Sequence, residues 1–259
     1  MELNGAPASI DQIKALALTN YGHFTSMLVE NNRVRGLSLH MERLARDCRH
    51  LFNVELDTDR VRAYVLKALG SGGAATVARV TIYDPALDLG SIGSSAAPSV
   101  LVTTRTAAQG QPKPWRLQTV SYRREMPMVK HVGLFGTMRH RRSAQREGFD
   151  DVLFMNPDGT ISEIATSNIG FVRGDQIIWP RSECLPGVTM ALLRQALDEP
   201  VITEPLTPSD LHDMDAAFAT NAATGVRPVR SVDSAEWSAD HKELRRLCEL
   251  YAEIPPEHL

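Results

Sequence analysis

Between Asp151 and Trp179 four short β-prone runs follow one another, leaving almost no room for a helix. Asp151 to Met155 and a run beginning at Ile161 are separated by Asn156-Pro157-Asp158-Gly159. That sequence reads as a tight turn, because proline presets φ, aspartate accepts from nearby backbone and glycine tolerates positive φ. Asn168 to Arg173 and Gln176 to Trp179 flank Gly174-Asp175, which reads as a hairpin closure. Punctuation this dense makes the second half of the chain sheet-based.

Helical periods lie on either side. Arg-rich Gly136 to Gly148 precedes the strands, a helix follows Leu185-Pro186-Gly187 through Leu197, and a last one covers Ala239 to Ala252. The first half mixes elements. Phe24 to Val29 reads as a strand, and Glu30-Asn31-Asn32-Arg33 as a turn into Val34. Leu44, Cys48, Leu51 and Phe52 recur at helical spacing within 39–52. A second helix spans Asp59 to Leu69 and stops at Gly70-Ser71-Gly72-Gly73. Strands are expected at Thr76 to Tyr83, Ser99 to Thr104 and Arg116 to Arg123, with a flexible Gly/Ser/Ala-rich loop between the first two. The Pro- and Gln-containing stretch 107–115 reads as a linker. The expected class is α/β (α+β), with a small N-terminal domain over 1–106 and a larger one over 116–259.

Composition narrows the partners. Apolar residues make up 43% of 259 and charged residues 23%, enough for a packed core, and the formal charge is −3. No global field draws such a chain onto nucleic acid or an anionic membrane. The basic run Met138 to Arg146 therefore reads as a solvated helix face. Cys48, Cys184 and Cys248 are scattered and odd in number, which argues against disulfides and against a metal site. Together with an N-terminus lacking a signal-like apolar run, they point to the cytoplasm.

Only five of the 28 Lys and Arg residues are lysine. Lys130 stands in the mostly apolar Met126-Pro127-Met128-Val129-Lys130-His131-Val132-Gly133-Leu134-Phe135. A primary amine there can form a Schiff base, which a guanidinium cannot. In isolation the same lysine reads more readily as a snorkelling side chain. The segments that follow decide between the two.

The stretch Gly148 to Ile169 contains Asp158-Gly159, then Glu163, then Ser167-Asn168-Ile169. It resembles the class IV aminotransferases, as do Leu185-Pro186-Gly187-Val188-Thr189, Pro228-Val229-Arg230-Ser231-Val232-Asp233 and His40-Met41-Glu42-Arg43-Leu44. These matches keep the family's order over most of the chain. The resemblance implies the two-domain fold type IV of pyridoxal-phosphate enzymes, whose larger domain is a mixed, barrel-like sheet with helices. It also implies a homodimer and pyridoxal 5'-phosphate as cofactor, held by Lys130 as a Schiff base. By resemblance Glu163 partners the ring nitrogen, and Arg43, Gly187, Val188 and Thr189 hold the phosphate. Ser167 and Asn168 line the same site. A second phosphate loop maps onto Asn221 and Ala222, where many members carry threonine at the latter position.

The activity so implied is ping-pong transfer of an amino group between an amino acid or amine and a 2-oxo acid. Phe135 stands where branched-chain members usually carry tyrosine, which argues against that substrate class. Lys130-His131, Phe24-Thr25-Ser26 and Asn221-Ala222 also resemble 4-amino-4-deoxychorismate lyase, which releases 4-aminobenzoate and pyruvate. A homologue that binds the cofactor without turnover is the third reading. His23 and His131 are assigned no catalytic role.

Overall fold

The structure, a computed structural model, describes residues 1–70 and 74–259. Of the expected stop signal after the second long helix, Ser71-Gly72-Gly73 lie outside the described residues. The chain is a mixed α/β protein, and its contacts divide it into two units. One comprises 1–109, 129–133 and 256–259; the other comprises 110–128 and 134–255.

The first unit is a five-stranded antiparallel sheet backed by helices. From one edge the strands are Ala6–Pro7, Glu2–Leu3, Ser99–Thr106, Thr76–Tyr83 and His23–Val29. Helix α1 (Ile10–Thr19) opens with a capping box between Ser9 and Gln12 and ends on a left-handed Asn20. Helix α2 (Leu37–Phe52) buries Leu37, His40, Met41, Arg43, Leu44, Asp47, Cys48 and Phe52, one continuous stripe at three- and four-residue spacing. Helix α3 (Thr58–Leu69) is capped by Asp57, which accepts from Arg60 N, and buries Val61 and Val65. These apolar residues pack with Met27, Val29, Ala78, Val80 and Ile82 of the sheet. The loop after Tyr83 is tied rather than loose. Asp84, 7% exposed, accepts from Ala86 N at 2.8 Å and Ala97 N at 2.6 Å, so it pins both ends.

The free edge of this sheet is its His23–Val29 strand, and the segment 129–133 lies along it. Phe24 N–H donates to the Lys130 carbonyl at 2.9 Å, and Val132 N–H donates to the Gly22 carbonyl at 2.9 Å. Those bonds satisfy part of an edge whose polar groups need partners. His23 and His131 form the bridge between them.

The second unit is built on a mixed nine-stranded sheet, as the turn-rich sequence requires. Its path runs Ile202–Glu204, Gln176–Pro180, Asn168–Arg173, Ala216–Asn221, Gly225–Val232, Trp115–Ser121, Asp151–Met155 and Ile161–Ile164, with Ala235–Glu236 beside Gly225–Val232. Trp115–Ser121 pairs in parallel with both of its neighbours; most other pairings are antiparallel. The turn at 156–160 closes as its residues demand. Gly159 has φ +82°, its N–H donates to Asn156 O, and Asp158 Oδ1 accepts from Thr160 N and Thr160 Oγ1. Helices α4 (Phe135–Arg146), α5 (Val188–Ala196) and α6 (Lys242–Glu253) complete the unit. No described helix is long and apolar enough to cross a membrane.

Candidate active site

Helix α2 carries three polar residues on its buried face: His40, Arg43 and Asp47, at 0%, 6% and 0% exposure. Their spacing, i, i+3 and i+7, is that of a core stripe, so apolar neighbours bury them together. Asp47 Oδ1 accepts from Arg46 Nε at 2.9 Å, and Asp47 Oδ2 accepts from the backbone N–H of Lys130 at 3.2 Å. With Phe24 holding its carbonyl, the Lys130 backbone is clamped on both sides. The Lys130 ammonium lies 5.0 Å from the centre of the Phe24 ring, and the Arg79 guanidinium lies 3.5 Å from that same centre. Cations favour aromatic faces at such distances.

Burial dominates the protonation of this cluster. It depresses the His40 pKa to about 3, assisted by the positive charges of Arg43 and Lys130. It also depresses His23 to about 4, with Asp47 opposing. Both imidazoles are therefore neutral near pH 7. His40 Nδ1 shares a 2.6 Å hydrogen bond with Thr25 Oγ1. Arg43 is lowered by burial to about 10 and remains a cation.

In the second unit, Glu163 sits on Ile161–Ile164 with 4% exposure. Its Oε1 accepts from Arg124 NH1 at 3.1 Å, and its Oε2 accepts from Leu185 N–H at 3.3 Å. Asn168 opens the next strand and donates from Nδ2 to the Leu185 carbonyl at 2.8 Å. Leu185 is thus gripped at its N–H and its carbonyl by two of the expected site residues. The loop then turns into α5 at Gly187, where an added Cβ would fall 1.9 Å from Asn168 Oδ1. Glycine is required there by close approach rather than by φ, which is −65°.

Helix α5 starts without a side-chain cap, and its first-turn N–H groups and dipole favour an anion. Thr189, in that turn, is 1% exposed, and its Oγ1 finds no hydrogen-bond partner among the described residues. A buried hydroxyl without a partner is costly, and an oxygen-rich anion would relieve it. This donor set fits the phosphate of a cofactor. Val188 is buried beside it.

The Asn221 side chain is bonded within its own loop. Its Oδ1 accepts from Ala223 N, Thr224 N and Thr224 Oγ1, and its Nδ2 donates to Ser167 Oγ at 2.9 Å. The side chain shapes its own loop and ties it to Ser167. Ala222 lies half-buried within that loop. Phe135, at the start of α4, is 82% exposed.

The expected residues fall in two groups, Lys130 and Arg43 in the first unit and Glu163, Ser167, Asn168, Gly187, Val188, Thr189, Asn221 and Ala222 in the second. Sequence reasoning missed His40 and Asp47 as buried partners, although their spacing on the stripe with Arg43 was visible. It also missed Arg79 and Arg124, which carried no local signal among many arginines.

Comparison with known proteins identifies the family and the fold. The profile of amino-transferase class IV matches residues 22–232. The branched-chain-amino-acid aminotransferase-like protein 2 of Arabidopsis thaliana is 27% identical over 126 residues. That match covers 45% of this chain but 22% of the relative's length, so this chain spans only a minor part of it. A putative 4-amino-4-deoxychorismate lyase from Legionella pneumophila superimposes with a TM-score of 0.82 at 22% identity, over 96% of both chains. A branched-chain aminotransferase from Thermoproteus uzoniensis gives 0.84 at 21% identity, over 97% of this chain and 92% of the other. The structural likenesses are likenesses of fold, while the profile spans most of the sequence. The chain belongs to the amino-transferase class IV family.

Proposed function

We propose that the protein is a pyridoxal-phosphate-dependent aminotransferase, moving an amino group from an amino acid or amine to a 2-oxo acid in two half-reactions. The observation that carries this reading is Lys130, a primary amine whose backbone is fixed at both N–H and carbonyl while its side chain reaches along the Phe24 ring. Pyridoxal phosphate, when bound, supplies an electron sink for negative charge on the carbon beside the substrate nitrogen.

The chain's residues supply the rest. Lys130 Nζ would hold the cofactor, and its free amine would move the proton at the substrate α-carbon as a general base. Glu163 would face the ring nitrogen as its hydrogen-bond acceptor. The first turn of α5, with Thr189 Oγ1 and Gly187, would hold the phosphate, and Arg43 would supply a cation to it; Ser167 and Asn168 would shape the adjoining walls, and Asn221 and Ala222 would form the second phosphate loop. Arg79, stacked on the ring that Lys130 also touches, receives a carboxylate of the substrate.

We place the cofactor-binding domain over 116–259 and the small domain over 1–106. The enzyme acts as a homodimer in the cytoplasm. The exposure of Phe135 (82%) and Met138 (38%) on one end of α4 supports an interface with a second copy, and three unpaired cysteines support a reducing compartment.

A screen of amino donors against pyruvate and 2-oxoglutarate tests the reading. The expected result is parallel double-reciprocal lines with keto product formed. The lyase reading of the same site is the one to adopt if aminodeoxychorismate gives 4-aminobenzoate and no donor is transaminated. Cofactor uptake with neither product would leave a non-catalytic binding protein.

A further inference from the structure

Arg124 and Glu163 form an ion pair whose side chains are 7% and 6% exposed. Burying such a pair costs desolvation that attraction only partly repays, and apolar replacements are often no less stable. Stability alone is a poor reason for its presence. The geometry is more informative. Arg124 NH1 reaches Glu163 Oε1 at 3.1 Å and the Pro127 carbonyl at 3.3 Å, while Leu185 N–H holds the other carboxylate oxygen. The carboxylate plane is fixed at both oxygens. A guanidinium does not release its proton in proteins, so a carboxylate beside it stays ionised where an acid alone at that depth would favour its neutral form.

We propose that Arg124 is a positioning residue for the reaction: it keeps Glu163 anionic and fixed in plane, so that the ring nitrogen of the bound cofactor remains protonated. This rests on the function proposed above. A neutral glutamic acid would leave that nitrogen without its counter-charge, and the electron sink would weaken. Pro127 precedes Lys130 by three residues, so the same guanidinium also braces the stretch leading to the lysine.

The test uses full-length protein reconstituted with pyridoxal phosphate and follows the cofactor's visible absorbance against pH. Variants are Arg124→Met, Arg124→Lys, Glu163→Gln and the double Arg124→Met/Glu163→Gln. A ring nitrogen that loses its proton makes the neighbouring titrating group more basic. Arg124→Met and Glu163→Gln should therefore each raise the midpoint by about one pH unit, a tenfold change in proton affinity. The double variant should move no further than Glu163→Gln, because the two residues act as one unit. Arg124→Lys, which keeps the charge, should restore most of the midpoint. If Arg124→Met does not fold, Arg124→Gln takes its place: a midpoint raised toward that of Glu163→Gln supports the proposal, and a parent-like midpoint overturns it. A parent-like midpoint in cofactor-loaded Arg124→Met overturns the role of Arg124 alone. A parent protein that takes up no cofactor overturns the proposed function and this inference with it.

Discussion

Around Lys130 the buried polar groups include two imidazoles that burial holds neutral, whereas around Glu163 the carboxylate and the Asn168 amide are tied to the backbone of Leu185 and the unpartnered group is a hydroxyl, Thr189 Oγ1. In the first unit, both ring nitrogens of His23 and Nε2 of His40 find no hydrogen-bond partner among the described residues. Burial keeps both rings neutral. In the second unit, Glu163 and Asn168 hold Leu185 at both its backbone groups, and Asn221 closes its own loop. The lysine cluster thus depends on keeping protons out. The glutamate cluster depends on shape. Proton-transfer chemistry suits the first arrangement and cofactor positioning the second.

The contrast breaks most decisively at the lysine. Lys130→Met should lower amino transfer by about a hundredfold to ten-thousandfold, the usual contribution of a general base, with an unchanged circular dichroism spectrum. Steady-state rates check this, and residual activity within tenfold of the parent would remove Lys130 from the chemistry.

The shape-dependent cluster should fail at Gly187 instead. Gly187→Ala drives a Cβ against Asn168 Oδ1, so Asn168 must leave the Leu185 carbonyl. The expected cost is about 1–3 kcal/mol, typical of overpacking, with weaker binding of pyridoxal phosphate. Melting and cofactor titration measure both. Adding Asn168→Ala should return part of the stability by making room; no recovery would mean that the clash lies elsewhere.

Acid sharpens the comparison next. His23 and His40 have folded-state pKa values of about 4 and about 3, below the unfolded value of 6.5. Between pH 6.5 and those values the unfolded chain binds more protons, so stability falls as pH drops through that window. Each ring contributes roughly 1.4 kcal/mol per unit of pKa difference. Urea unfolding at successive pH values should show this slope, reduced in His23→Leu; an unaltered slope in that variant would contradict the assignment to His23. The smallest effect belongs to the exposed Arg49–Glu55 pair on the surface of the first unit. Glu55→Gln should leave the melting temperature unchanged, since solvent screens such pairs.

Much of this arrangement is legible in the residues. Helix α2 follows from its apolar spacing, and the turn at 156–160 from Asp158 and Gly159, whose bonds are those such turns need. Helix α1 carries Ser9 and Gln12 as a start signal, but its contact with the sheet is small: Ile13 and Leu16, partly buried, pack on Leu3, Tyr83 and Leu101. Ala216–Asn221 is buried on both faces and therefore shows no alternation. At the candidate site, Lys130, Glu163 and Gly187 stand out in the sequence through the resemblance and their chemistry, and the structure shows the close approach that requires glycine at 187. Arg124 and Asp47 do not stand out, because their partners lie 39 and 83 residues away along the chain. Asn221 shows the converse: a motif position whose side chain serves its own loop.

Borohydride reduction of the protein loaded with pyridoxal phosphate, followed by peptide mapping, tests the central assignment most directly. A single pyridoxyl adduct on Lys130 is the predicted result. An adduct on Lys14, Lys67, Lys113 or Lys242 in its place, or a protein that acquires no adduct, contradicts it.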